Sequence, residues 1–281
     1  MLRVNLWDQE FEHSVKEQGF DAASYRIKPE KIEYVRNQME WDGITIFTNR
    51  CLEKVLTVKS KIKIAWMLEA RVILPDTYAK LVELEDKFDY IFTFYEDLLK
   101  RDSKKYIPYI MGCYRIPKEQ QQVYPKTKLL SHLVTRQTST PAHQMRHVLA
   151  NFLKQTDFPI TIFGANYTPY PTKLDAHKDF MFSIVIMNSS ENFYITEWLI
   201  DCLLCGTIPI FYGCPDIQHF FNKDAIIQMK DINSIFEILP RLTPEFYNSK
   251  LSAIQENLEK AKRYGCPDDM IAEQLLQRAI V

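Results

Sequence analysis

The segment from Phe182 to Ile217, FSIVIMNSSENFYITEWLIDCLLCGTIPIFYGCPDI, constrains the fold of this chain more than any other. An apolar run ends at Met187 in a polar group, Asn188 to Asn192. Thr196 and Glu197 then open an amphipathic stretch, Trp198 to Cys205, which Gly206 closes before a second apolar run, IPIFYG. That order predicts strand, polar loop, helix, tight turn and strand, one βαβ unit with its polar residues gathered at the first strand's carboxyl end. Loop amides and helix N-termini converge at that edge of an open parallel sheet, so the segment reads as a site for an anionic ligand, a nucleotide above all.

The rest of the chain carries the same alternation. Strands are expected at Arg3 to Leu6, Ile44 to Thr48, Ile62 to Met67, Tyr90 to Phe94 and Tyr106 to Met111. Helices are expected around Pro29 to Met39 and Pro75 to Lys87, each with proline near its start. From Cys113 to Lys128 the pattern lapses into a polar, proline-flanked linker. Strands resume at Leu129 to Thr135, Ile160 to Phe163, Phe182 to Met187, Ile208 to Tyr212 and Ala225 to Met229. Thr140-Pro141 and Thr243-Pro244 have the form of an N-cap followed by proline, and the tail from Pro244 to Val281 reads as two helices. The expectation is an α/β chain with mostly parallel sheets, and 281 residues suffice for two Rossmann-like halves.

Composition excludes several classes. A net charge of −1, with each short basic cluster offset by nearby acids, speaks against a nucleic-acid binder. Cys202 and Cys205 lie between apolar residues with no second pair at zinc spacing, so a core role is expected for them. No apolar run is long enough to span a bilayer and no signal peptide is apparent, which together predict a cytoplasmic protein without a transmembrane segment. A Gly-x-Gly-x-x-Gly turn is absent, which sets dinucleotide oxidoreductases aside.

Asn188-Ser189, a short spacer, Tyr194-x-Thr196-Glu197, a helix and then Gly206-Thr-Ile-Pro-Ile-x-x-Gly213 resemble the donor-binding signature of family 10 glycosyltransferases, the α1,3/4-fucosyltransferases. The resemblance implies a GT-B-like fold, two Rossmann-like domains with mostly parallel sheets facing across a cleft. Residues 1–125 would form the acceptor domain and 126–262 the nucleotide-sugar donor domain. A final helix in 263–281 would cross back to the first. Two signature positions depart from the family: Met187 stands where a glutamate is usual and Trp198 where a lysine is usual. The family lysine supports the donor diphosphate, so another cation must replace it, with Arg136, Arg71 and Lys173 as candidates. Trp198 itself could stack on a base or sugar, or turn into the core.

Sugar transfer needs a base for the acceptor hydroxyl and stabilisation of the leaving diphosphate. Glu69, just past an expected strand end in KIAWMLEA, is the candidate base, since a glutamate of reference pKa ~4.3 is already ionised at neutral pH; the alternative is a surface residue paired with Arg71. By resemblance, Arg146 would hold the diphosphate and Glu197 the ribose hydroxyls, with Arg136 and His143 nearby and His147 pointing elsewhere. Asn188, Ser189, Tyr194, Thr196 and Trp198 complete the expected donor site. No Asp-x-Asp is present, which points to catalysis without a metal or other cofactor. The expected function is an inverting glycosyltransferase that moves a sugar to a hydroxyl of a glycan acceptor. The donor would be GDP-fucose by resemblance, or a UDP-sugar such as UDP-xylose given the two departures. The competing expectation is a non-catalytic module that binds a glycan or nucleotide.

Overall fold

A computed structural model describes residues 1–9, 19–24, 27–164 and 166–280. They form two compact units: Met1–Cys113 with Glu191–Tyr194 and Gly265–Val281, and Tyr114–Ser190 with Ile195–Tyr264. Among the described residues, no helix is long and apolar enough to cross a membrane.

The first unit is built on β1 (Leu2–Trp7), β2 (Ile32–Arg36), β3 (Glu40–Thr48), β4 (Lys59–Trp66), β5 (Tyr90–Thr93) and β6 (Tyr106–Pro108). All neighbours are parallel, in the order β2-β1-β3-β4-β5-β6. Consecutive buried residues at the end of β3 and β4 show that both faces of the sheet are covered, which is why these strands read as unbroken apolar runs. Helix α1 (Pro75–Leu84) follows β4 and buries Tyr78, Leu81 and Leu84 against Phe47, Phe88 and Ile91; α2 (Glu96–Leu99) is a single turn.

The helix expected around Pro29 to Met39 is not formed. Ile32–Arg36 is an edge strand, parallel to β1 from Leu2 to Leu6. Ile-Glu-Tyr-Val suits a half-covered strand, and pairing with β1 outweighs the start signal that Pro29 gives a helix.

The second unit carries β7 (Lys128–Val134), β8 (Ile160–Gly164), β9 (Phe180–Ile186), β10 (Ile208–Tyr212) and β11 (Ile227–Gln228), parallel in the order β11-β10-β9-β7-β8. Its helices are α3 (Pro141–Lys154), α4 (Glu197–Leu204), α5 (Ser234–Ile238), α6 (Pro244–Asn248) and α7 (Leu251–Ala261). Thr140 caps α3 by accepting the His143 amide, and Thr243 caps α6 by accepting that of Phe246. Phe182, Ile184, Ile208 and Ile210 meet Leu149, Leu153 and Ile254 in one core.

Among the described residues the tail holds three α-helices rather than the expected two, because α6 and α7 are separate. The last, α8 (Pro267–Gln277), belongs to the first unit. There buried Asp268 accepts the amides of Ala23 and Ser24 and the Tyr34 hydroxyl, while Asp269 accepts those of Glu30 and Lys31.

Both sheets have the order 2-1-3-4-5 from their first strands, so each reverses direction once: between β1 and β3, and between β7 and β9. Loops leaving such a pair part in opposite directions and open a crevice at the carboxyl ends. The Phe182 to Ile217 motif sits at the second of these points.

Gly206 ends α4 in a Schellman motif. Its φ is +66°, its amide donates to Leu203 O (3.0 Å), and the Thr207 amide donates to Cys202 O (3.3 Å). A Cβ here would stand 2.8 Å from Val123 Cα. Gly206→Ala should cost about 1–3 kcal/mol through left-handed strain and this backbone contact. Urea denaturation measures the loss; a change below about 0.5 kcal/mol, the range of an ordinary surface substitution, would show that the turn carries no such constraint.

Candidate functional site

Arg146 lies on α3 with only 2% of its surface exposed. Its Nε donates to Ile186 O (2.9 Å) and its Nη2 to Asn188 Oδ1 (2.8 Å), with a further bond from Nη2 to Ile186 O. The guanidinium thus ties the helix after β7 to the end of β9 and orients the motif asparagine. It also sits 4.4 Å from the centroid of the Trp198 ring. A surface role for Arg146 is excluded by this burial.

His143, one turn earlier, is buried with Nδ1 against Ser139 Oγ (3.2 Å). Burial and the nearby Arg146 charge push its pKa down, favouring the neutral ring. His147 is turned to Gln137 O. Arg136 is exposed in the loop after β7 and makes no hydrogen bond or ion pair with another described residue.

Beyond β9, Asn188 and Ser189 are half-buried, and Ser190 Oγ donates to Gly213 O (2.9 Å), linking the loops after β9 and β10. Thr196 caps α4, its hydroxyl accepting from the Trp198 amide at 3.5 Å. Glu197 follows in the first turn, half-buried, with Arg115 Nη2 at 4.0 Å. Trp198 is half-buried and packs beside Leu133, Phe163 and Tyr170. Lys173 Nζ lies 4.0 Å from its ring centroid.

Asp201, one turn below Glu197, is wholly buried. Its Oδ1 accepts the amides of Arg115 (2.7 Å) and Ile116 (3.3 Å), fixing the start of the linker against α4, while its Oδ2 has no hydrogen-bond partner among the described residues. Burial pushes this carboxyl up to about 7, with the two amides and Lys173 opposing. Nearby, the Lys126 ammonium ties Lys178 O, Cys205 O and Thr207 Oγ1 at 2.7–3.0 Å, and Cys202 and Cys205 are buried free thiols in the core.

In the first unit Glu69 lies three residues beyond β4, half-buried. Its carbonyl accepts the Tyr78 hydroxyl (3.0 Å), and its Oε2 accepts the Tyr194 hydroxyl at 3.4 Å. Tyr194 thus bonds Glu69 within the first unit. Its ring tilts on Phe94, centroids 4.9 Å apart. Arg71 does not pair with Glu69; it stacks on Tyr95, 4.6 Å from the centroid, and donates to that hydroxyl. Asn49, at φ 27° after β3, accepts the Leu68 amide (2.8 Å), and Asp8, after β1, accepts the Thr48 hydroxyl (2.6 Å). These are the carboxyl ends flanking the first switch point.

Sequence reasoning passed over Arg115, Asp201 and Asn49. A lone carboxylate in the apolar run WLIDCLL was a usable signal for Asp201. Arg115 and Asn49 lie in segments without periodicity, where no signal exists.

Residues 123–248 match the family model described as glycosyltransferase family 10 (fucosyltransferase) C-term. A fucosyltransferase-like protein of Arabidopsis thaliana is 27% identical over 108 residues, 35% of this chain; the match spans about a fifth of that protein's length. Among solved structures, an alpha1,3-fucosyltransferase with GDP-fucose aligns at TM-score 0.60 and 16% identity, covering 99% of this chain and 89% of that one. An alpha-glucosyltransferase in complex with UDP and a 13-mer DNA aligns at TM-score 0.53 and 12% identity, covering 99% of each. The resemblance read from the motif is thereby borne out, and the fold is that of fucosyltransferase-like glycosyltransferases of GT-B type.

The buried Asp201 makes stability depend on pH. With a folded pKa near 7 against an unfolded value of ~3.9, the folded state holds the proton more tightly. The associated stability is present in full below about pH 4 and lost as pH rises through 7. Asp201→Asn should flatten the fall in unfolding free energy between pH 5 and pH 8 in urea titrations. Asp268, pushed up to about 6 by burial, contributes to both proteins alike. Equal slopes for the two would remove Asp201 as a titrating group.

Proposed function

We propose that this protein is an inverting glycosyltransferase that moves a sugar from a nucleoside-diphosphate donor to a hydroxyl of a glycan acceptor. The observation that carries the proposal is the coincidence of the family-10 match with a built cluster at a switch point. Inside residues 123–248, Glu197 heads α4 beside Trp198, with Arg146 and Lys173 against that ring. A carboxylate paired with adjacent cations suits a nucleoside diphosphate: oxygens for ribose hydroxyls, positive charge for phosphates.

In this reading Glu197 accepts the ribose hydroxyls and the cations around α4 stabilise the diphosphate. Arg146 has a second task, since its bond to Asn188 holds that amide in place. Glu69 accepts the acceptor's proton as its oxygen bonds to the anomeric carbon and the bond to the diphosphate breaks. The backbone of Glu69 is fixed from both sides, by Tyr78 on its carbonyl and by Asn49 on the preceding amide, so its carboxylate starts from a defined position. Charge neutralisation is assigned to side chains and the helix terminus, without a metal. GDP-fucose is the first donor to test, because the fucosyltransferase structure with GDP-fucose is among the most similar; UDP-sugars, UDP-xylose among them, follow because of Met187 and Trp198.

Incubation with GDP-, UDP- and CMP-sugars and a panel of glycans, read as nucleotide release, should reveal one nucleoside-diphosphate sugar whose release depends on an acceptor. Donor binding without release by any acceptor would favour a non-catalytic module. Glu69→Gln should lower kcat by about 10²–10⁴ with donor affinity unchanged; retained activity would remove Glu69 from the mechanism. Transfer should also persist after exhaustive chelation, and a loss restored by a divalent cation would contradict the metal-free assignment.

A further inference from the structure

Three cations and two carboxyl groups gather around Trp198. Lys173 feels Arg115 and Arg146 as like charges there, and Glu197 and Asp201 as opposite ones. Asp201 is buried and carries only part of a charge near neutrality. Glu197 is therefore the one full negative charge that the Lys173 ammonium meets in this group. Among the described residues no carboxylate oxygen lies within 4.0 Å of Lys173 Nζ, and it donates no hydrogen bond. Its contact is the Trp198 face, and burial together with the two arginines pulls its pKa down. A half-buried ammonium with no carboxylate within ion-pair distance among the described residues is costly to keep, and a multiply charged anion would relieve it.

Three of the other cations are held by protein groups. Arg146 spends its Nε and Nη2 on Ile186 O and Asn188 Oδ1. Arg115 faces Glu197. Arg71 stacks on Tyr95 in the first unit, and Arg136 is exposed in its loop. All three donor hydrogens of Lys173 remain for a ligand.

We infer that Lys173, reaching in from the connection between β8 and β9 and seated on the Trp198 ring, is the residue that binds the diphosphate of the donor, supplying the charge that a lysine at position 198 would otherwise bring. This rests on the functional reading above. A cation over an indole face is held with little loss of donor capacity, because the ring takes none of its hydrogen bonds. Trp198 is then a seat for the charge and not a lost ligand, and the departure at 198 and the lysine at 173 form one device.

Calorimetric titration with GDP and with UDP tests this in the full chain. The wild-type protein should bind at least one of the two. Lys173→Met should weaken that binding about 10- to 100-fold, the worth of one charge-assisted hydrogen bond, while Lys173→Arg stays within about threefold. The double change Lys173→Met with Trp198→Lys should recover most of the loss, because it restores the charge at the other position. A purely structural role for Lys173 would lower the thermal midpoint without moving diphosphate affinity. Wild-type binding with unchanged affinity in a folded Lys173→Met protein overturns the inference and leaves the transferase reading standing. Failure of the wild-type protein to bind either nucleotide overturns both.

Discussion

A guanidinium buried at a switch point is the interaction on which the second unit of this structure depends. Burying an arginine is unfavourable unless its donors are used, and Arg146 uses them on the last carbonyl of β9 and on the first polar side chain beyond it. The helix after β7 and the loop after β9 are thereby locked together where the chain changes direction. Several features follow from that lock. Its charge adds to burial in holding His143 toward the neutral form, Asn188 accepts from it, and the Trp198 ring has a cation beside it.

The two units repeat one solution with different residues. At the first switch point Asp8 and Asn49 cap the ends of β1 and β3 through bonds to Thr48 and Leu68, and Glu69 follows within one residue of the latter. At the second, Arg146 and Asn188 take that role, and Glu197 heads the next helix. In each case polar side chains at the strand ends hold the loops there, and a half-exposed carboxylate follows in the chain. Buried polar groups of this kind add rigidity where side chains must be held for chemistry.

The parts of the fold legible in the sequence were those whose pattern comes from burial on both faces. Apolar runs such as those at Ile62, Tyr90, Phe182 and Ile208 stood out because both sides of the strand are covered. The edge strand at Ile32 was misread as helix, because a strand open on one side has a weaker pattern and Pro29 imitates a helix start. The motif from Asn188 to Gly213 was legible because it is continuous in sequence. Arg115, Lys173 and Asp201 meet around one helix turn from three separate segments, and only the folded chain brings them together. The replacement of lysine by Trp198 looked like a loss in one dimension; in three it faces a lysine from twenty-five residues upstream.

The central claim is that the start of α4 is the seat of a nucleoside diphosphate. A crystal structure after soaking with GDP or UDP tests it most directly. The account predicts the ribose hydroxyls on the Glu197 carboxylate and the diphosphate within hydrogen-bond reach of Lys173 Nζ, over the Trp198 side of the helix. A nucleotide bound with its diphosphate away from that turn, or no nucleotide at saturating concentration, would contradict it.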